Sequence, residues 1–343
     1  MINVFSTSEQ MNWLLECSKH DITLHNNWSH WSTSAGSKIA IFEILDYHDV
    51  VKQEIAQCAD AGLTTICVVQ ELINDQVIKD FDLPNVHFYI PGYLNWQPLH
   101  ATVNPYMYFF TSTVAFYKQF PDLLNIPNNI SSGFDALLGR KKHHRDLVYN
   151  NVDHSANIVK YFNQTTDQDI RQLSDSQFAW PTNVLPVPDD AIDFTVNEVL
   201  VDGVIVSLSQ ILPTDIYANT HSSIVAETQS ENAFSFYTEK IVKPILAKRP
   251  FVVASGQHYL KNLKRLGFQT FDGLIDESYD NEPLLETRIK LMCDQVRTIN
   301  NMKTLDWIAQ TREICEHNFQ LMFDTNWQQQ MIAYLDSRLS SLR

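Results

Sequence analysis

Glycine is scarce in this chain: nine residues in 343, with no GxGxxG or GxxxxGK(S/T) string anywhere. That excludes the glycine-loop dinucleotide and P-loop binders, whose phosphate turns need backbone free of Cβ. Cysteine is also sparse. Cys17, Cys58, Cys67, Cys293 and Cys315 are odd in number and show no CxxC spacing, which argues against a disulfide framework or a zinc site. They are read as buried thiols of a reducing compartment. Basic charge is in deficit, and the net charge of −15 weighs against broad contact with nucleic-acid phosphates while leaving a local basic patch open. No apolar run approaches the ~18 residues that span a bilayer. The opening MINVFSTSEQ lacks the basic-then-apolar signature of a signal peptide. The expectation is a protein with no membrane span, in the cytoplasm or, if phage-encoded, the host cytoplasm.

What is present is an ordinary globular composition, 44% apolar and 19% charged, carrying a repeated alternation of strand and helix signals. Ile2–Phe5, Asp21–His25, Ile39–Leu45, Leu63–Gln70 and Val86–Ile90 read as strands. Helices are expected from a Ser6 or Ser8 cap to about Lys19, over Val50–Ala61 with Gly62 as stop, and near Asp75–Phe81. Pro105–Asn125 carries aromatic residues at helical spacing and reads as a packing helix. The turn-rich Pro121–Gly133 reads as a linker. A second α/β series follows, with strands at Phe134–Leu138 and Asn157–Phe162 and a polar excursion over Gln164–Asn197. It ends in helices at Pro283–Asn300, Thr304–Phe323 and Trp327–Leu342. The predicted fold class is α/β, with two Rossmann-like parallel-sheet domains facing a cleft and C-terminal helices. The predicted domains are 1–125, 126–325, and a helix over 326–343 returning to the first domain.

The most informative stretch is Ser222–Gly256. An apolar run ends at Glu227, a polar aromatic-laced loop runs to Tyr237, Thr238-Glu239-Lys240 opens a helix, and Pro250–Ala254 forms a second buried strand. This is a βαβ unit with charges at the strand end and helix start, where open α/β sheets hold ligands. Lys240 in the first helical turn and Lys243 one turn on are placed to meet an anion. Glu239 suits the paired hydroxyls of a ribose, or simply favours the helix dipole. Pro244 falls inside the helix and should bend it. The second basic feature is the run Arg140-Lys141-Lys142-His143-His144-Arg145, again between a strand and a helix. It reads as a diphosphate cradle using arginine forks, or as a solvated basic turn. A sugar nucleotide would use both features.

The strings Glu227-Thr-Gln-Ser-Glu231, Phe236-Tyr-Thr238-Glu239-Lys240-Ile-Val-Lys243 and Ala247-Lys-Arg-Pro250-Phe-Val-Val resemble the donor-binding region of α1,3-fucosyltransferases. They are similar, more broadly, to bacterial and phage glycosyltransferases of the two-domain GT-B architecture. The resemblance covers roughly residues 134–280. It implies a nucleotide-diphospho-sugar held by an upstream arginine (Arg140 or Arg145), Glu239 and Lys240. Lys141, Glu227, Tyr237, Thr238 and Lys243 complete the donor-binding candidates.

Sugar transfer without a metal needs a base on the acceptor hydroxyl and cations on the departing phosphate. The one DxD string, Asp167-Gln168-Asp169, reads as a solvated acidic turn, so no metal or other cofactor is expected. In the architecture that the sequence resembles, the base comes from the first domain. Asp46 and Glu71 at strand ends are the leading candidates, ahead of Glu43, with His48 close by. Trp28 and Trp31 are candidates for stacking on an acceptor. The acceptor itself is a glycan, a lipid-linked sugar or a modified DNA base. The alternatives are a phage-type DNA-base glycosyltransferase and a non-catalytic two-lobed sugar- or nucleotide-binding protein.

Overall fold

The computed structural model describes residues 2–6, 20–25, 31, 37–44, 49–69, 75–139, 141–161, 198–201, 204–207 and 210–340. In chain order the elements begin with β1 (Ile2–Ser6), β2 (Ile22–His25), β3 (Ser37–Ile44), α1 (Asp49–Asp60), β4 (Thr64–Val69), α2 (Gln76–Asp80), β5 (Val86–Ile90), β6 (Gly92–Leu94), β7 (Thr102–Pro105) and α3 (Tyr108–Gln119). Next come β8 (Ser132–Leu138), α4 (His143–Asn151), β9 (Ile158–Tyr161), β10 (Glu198–Val201), β11 (Val204–Ser207), α5 (Thr214–Asn219), β12 (Thr220–Ala226) and β13 (Phe234–Phe236). The chain closes with α6 (Glu239–Leu246), β14 (Phe251–Ala254), α7 (Tyr259–Arg265), α8 (Leu285–Asn300), α9 (Thr304–Asp324) and α10 (Trp327–Ser340). It divides into two units: 1–108 with 233–236 and 326–343, and 109–232 with 237–325. The expected helix after Ser6 or Ser8 and the Gln164–Asn197 excursion with its DxD string lie outside the described residues.

The first unit is built on a sheet of order β2-β1-β3-β4-β5-β7, with every neighbouring pair parallel. Its strands are β-branched and nearly continuous in apolar character, as buried parallel strands must be. Ile66–Val69 of β4, for example, are fully covered. One face of this sheet makes a core of Val4, Ile39, Ile41 and Val68 with Ile332, Leu335 and Leu339 of α10. Trp31 is buried, donating its indole N–H to the Asn3 carbonyl at 3.1 Å; it belongs to the core and not to a stacking surface. The Asp82 carboxylate collects the amides of Leu99, His100 and Ala101 at 2.7–2.8 Å, which returns the chain to the start of β7. Strand β6 pairs antiparallel with β13, Gly92 opposite Phe236.

The second unit has a parallel sheet of order β14-β12-β8-β9 and a separate β10–β11 hairpin. Helix α4 joins β8 to β9, and α6 joins β12 to β14. All seven residues of β12 are buried, and α8 and α9 pack on α4 and α6 respectively. The change of unit falls at 108/109, upstream of the 125/126 boundary expected from the turn-rich Pro121–Gly133. The aromatic face of α3 accounts for this. Phe110 meets Tyr237 and Phe268, and the Tyr117 hydroxyl receives the Leu212 amide at 2.7 Å, all inside the second unit. Below β12, Arg249 and Asp135 form a buried pair at 2.9 Å. Arg249 also donates to the Tyr217, Thr220 and Ser222 carbonyls, so the pair is satisfied in the way a buried charge requires.

Cys58, Cys67, Cys293 and Cys315 are buried and free, and Cys17 lies outside the described residues. No helix among the described residues is long and apolar enough to cross a membrane.

Two glycines make contrasting predictions. A Cβ on Gly92 would fall 1.7 Å from the Ser235 carbonyl oxygen, whereas Gly62, at φ +70, has nothing within 4 Å of its Cβ position. Gly92→Ala should therefore force β6 and β13 apart and cost about 3 kcal/mol, against about 1 kcal/mol of left-handed strain for Gly62→Ala. Denaturant titration of both variants checks the order; equal losses would contradict it.

Candidate functional site at the carboxyl ends of β8 and β12

From β8 the chain crosses to β9 on one side, while β12 and β14 lie on the other, so the strand order reverses between β8 and β12. Ligands of open parallel sheets bind outside the carboxyl ends at such a reversal. Here those ends are Leu138 and Ala226, followed by the basic run and by Glu227.

Glu227 is fully buried, and both carboxylate oxygens are occupied. Oε1 accepts the Thr238 amide at 3.2 Å and the Tyr259 hydroxyl at 2.7 Å; Oε2 accepts the Thr228 amide at 3.1 Å and the Thr238 hydroxyl at 2.7 Å. Burial lifts its carboxyl above the ordinary value, while Lys240 and the Thr238 and Tyr259 hydroxyls pull the other way. The residue therefore acts on its own loop, holding the start and the end of the β12–α6 connection together.

Thr238 is the N-cap of α6, its hydroxyl oxygen accepting from the Lys240 amide at 3.3 Å. Glu239, the first residue of the helix, is buried and meets the Lys240 ammonium at 2.6 Å. Burial pushes the Glu239 carboxyl up, but Lys240 and Lys243 more than offset it and the group sits below its usual range. Lys240 Nζ also reaches the Thr228 hydroxyl at 3.1 Å. Lys243, one turn on along the same face, is only 6% exposed, and its ammonium makes no hydrogen bond or close ion pair among the described residues. Burial depresses its ammonium to about 8, against the opposing pull of Glu239. The helix runs through Pro244 to Leu246.

The basic turn is largely committed to the main chain. Lys142 donates to the Thr228 carbonyl at 2.7 Å, and His144 Nε2 and Arg145 Nη2 both lie on the Glu227 carbonyl, at 2.8 and 3.0 Å. A Cβ on Gly139 would come 3.0 Å from Arg145 Nη1, so the missing side chain leaves the guanidinium room beside the strand end. Lys141 is exposed, and Arg140 lies outside the described residues. Burial, with Arg145 next, drives the His144 imidazole down to about 3. The neutral ring thus serves as a donor inside a cationic cluster.

Arg145, Glu227, Thr238, Glu239, Lys240 and Lys243 are thus brought together. Tyr237 is buried behind them, stacked edge-on against Tyr259 at 4.7 Å and donating its hydroxyl to the Tyr259 carbonyl. Asp46, His48, Glu71 and Trp28 lie outside the described residues. Glu43 is half-buried on β3, on the face of Ile39 and Ile41, where its charge, after burial and Tyr108, helps raise the Tyr106 phenol. Sequence reasoning missed the individual roles of Lys142, His144, Thr228 and Tyr259. The first two stood inside a recognised basic run; nothing local marks the other two. It also missed Arg288, buried and donating to the Ser255, Glu282 and Ser230 carbonyls, which ties the loop after β12 to the loop after β14.

No protein-family model, curated protein or solved structure matches this chain.

The His144 geometry predicts a pH dependence. Its folded value lies below the unfolded 6.5, so the site's stabilisation is complete above pH 6.5 and is lost as the pH falls toward 3. Each unit of pH in that window costs about 1.4 kcal/mol. Comparing parent with His144→Gln removes the contribution of the raised carboxyls that titrate nearby. The parent's unfolding free energy should fall more steeply than the variant's between pH 6 and about 4, and parallel curves would contradict the assignment.

Proposed function

We propose that the protein is a glycosyltransferase that moves a sugar from a nucleotide-diphospho-sugar to an acceptor hydroxyl, on the two-domain GT-B pattern. The observation that carries this reading is the arrangement at the start of α6. Lys240, paired with an ionised Glu239, and Lys243, whose ammonium has no close partner among the described residues, stand at the start of α6 beyond the ends of a parallel sheet. Lysine ammonium groups meet phosphate oxygens, and a carboxylate accepts the two hydroxyls of a ribose.

In the reaction, the acceptor oxygen bonds to the anomeric carbon while the bond from that carbon to the phosphate oxygen breaks. The departing nucleoside diphosphate keeps the electron pair, and Lys240 and Lys243 meet its charge. The acceptor proton passes to a carboxylate of the first unit, Asp46 or Glu71 ahead of Glu43. The upstream arginine of the fucosyltransferase resemblance is Arg140 or Arg145, the latter with Nη2 on the Glu227 carbonyl. Lysine charges take the part that a divalent cation plays in other transferases.

Calorimetric titration with a panel of nucleoside diphosphates tests the reading. At least one should bind more tightly than about 1 mM, and Lys240→Ala should weaken it by about tenfold or more. Binding no tighter than millimolar across the panel, or an unaffected variant, would overturn it. With an acceptor in hand, transfer should persist in EDTA; complete loss would reject the lysine-only account of the leaving group.

A further inference from the structure

We propose that Asp75 and Trp96, in the first unit, form a binding site for a neutral carbohydrate, one of whose hydroxyls accepts from the indole N–H and donates to the carboxylate. None of its atoms belongs to the α6 cluster, and it stands apart from the donor reading.

Asp75 follows β4 and immediately precedes α2, where an aspartate ordinarily caps the helix. Its side chain caps no amide. Oδ1 instead takes the Lys79 ammonium at 2.8 Å, and Oδ2 is buried with no hydrogen-bond partner among the described residues. The residue as a whole is 8% exposed. Trp96 follows β6, beyond the carboxyl end of β5. Its indole N–H is likewise buried with no partner among the described residues, and its ring centre lies 5.8 Å from the same Lys79 ammonium. One lysine thus stands by both groups and brings an unmet acceptor and an unmet donor within reach of a single sugar residue. A further unmet donor among the described residues, Asn104 Nδ2, lies next to the end of β7, the strand beside β5. Buried polar groups are nearly always paired, so orphans gathered at the carboxyl ends of neighbouring parallel strands point to a group that this chain does not supply.

The partners define the chemistry of that group. An indole N–H only donates, and an ionised carboxylate only accepts. A hydroxyl does both through one oxygen. The Asp75–Lys79 pair is already complete in charge, so an occupant of either sign would meet a like charge on one side. A peptide amide carries its donor and its acceptor on different atoms that point apart, and so meets only one of the two orphans. A sugar is neutral, offers several hydroxyls, and presents C–H edges that pack on an aromatic face. The half-exposed Lys79 side chain is the member able to swing aside on entry, while Trp96 and Asp75 stay in place.

Saturation-transfer NMR with a panel of neutral mono- and disaccharides tests this on the parent, on Trp96→Phe and on Asp75→Asn, with thermal melts to establish that the variants fold. Trp96→Phe keeps an aromatic ring and removes the N–H; Asp75→Asn keeps the shape and removes the charge. At least one sugar should bind the parent with a Kd of about 10 mM or tighter, and each variant should weaken it about fivefold or more. No sugar bound by the parent overturns the proposal and leaves the two atoms to a buried water. Undiminished binding in both folded variants overturns it as well. The parent alone covers failure of the variants to fold: in the nitrogen-labelled protein the assigned Trp96 indole N–H resonance should move with the sugar, and a stationary resonance rejects the site. A blocked dipeptide, as a neutral amide, should not compete, and competition by it rejects the carbohydrate class. Sugar binding without any nucleoside diphosphate binding leaves this site standing and the donor reading fallen.

Discussion

The site depends on one buried carboxylate with four donors. Glu227 closes β12 and takes the amide and hydroxyl of Thr238, the amide of Thr228 and the hydroxyl of Tyr259. Thr238 is the N-cap that fixes the first turn of α6, and Thr228 holds the Lys240 ammonium from the other side. Strand end, loop and helix start therefore share one hydrogen-bonded centre. Thr238 and Tyr259 are buried, so their donors would be left without a replacement for water if the carboxylate were removed. The positions of Glu239 and Lys240 are consequences of that centre.

The β8–α4 turn works on the same point from the opposite side. His144 and Arg145 share the Glu227 carbonyl, and Lys142 takes the next one. These carbonyls end a central strand, where the ladder has run out and main-chain acceptors need donors. A run that looks like a ligand cradle thus has a structural duty first. The sorting among its members follows from side-chain position. Lys142, His144 and Arg145 turn to the strand ends, whereas Lys141 is exposed. Lys243 differs from Lys142, His144 and Arg145 because its buried ammonium holds no carbonyl or carboxylate among the described residues.

Much of the frame was legible in the sequence. Continuous apolar runs such as Ile39–Phe42 and Ile224–Ala226 can be buried only on both faces of a parallel strand, and both are. Thr238-Glu239-Lys240 carries its own cap chemistry, and the helix begins where that chemistry places it. What was not legible depends on contacts across long sequence separations. Nothing around Tyr259 marks it as a donor to Glu227, 32 positions away. The change of unit inside α3 was hidden for a similar reason. Aromatic spacing reveals that a helix has an apolar face but not which core receives it, and the turn-rich segment after it offered a more obvious boundary. Asp135, alone in an apolar strand, did carry a signal: an acid there needs an internal cation, and Arg249 provides it.

The distribution of counter-charge then separates support from function within one acidic chain. Arg249 has Asp135, Lys264 has Asp272, and Lys248 has Glu316; each pair is complete without a ligand. At the start of α6 the arrangement is different, because Glu239 answers two lysines and Glu227 is saturated by neutral donors. A chain with 40 acidic side chains against 25 basic ones has no general shortage of carboxylates. A buried Lys243 ammonium with no close partner among the described residues costs stability, and an anion arriving at that point recovers it. The same burial that depresses the Lys243 ammonium strengthens its attraction to phosphate once water is displaced. Lys243 therefore has more to give to a ligand than a cation whose pair is already complete.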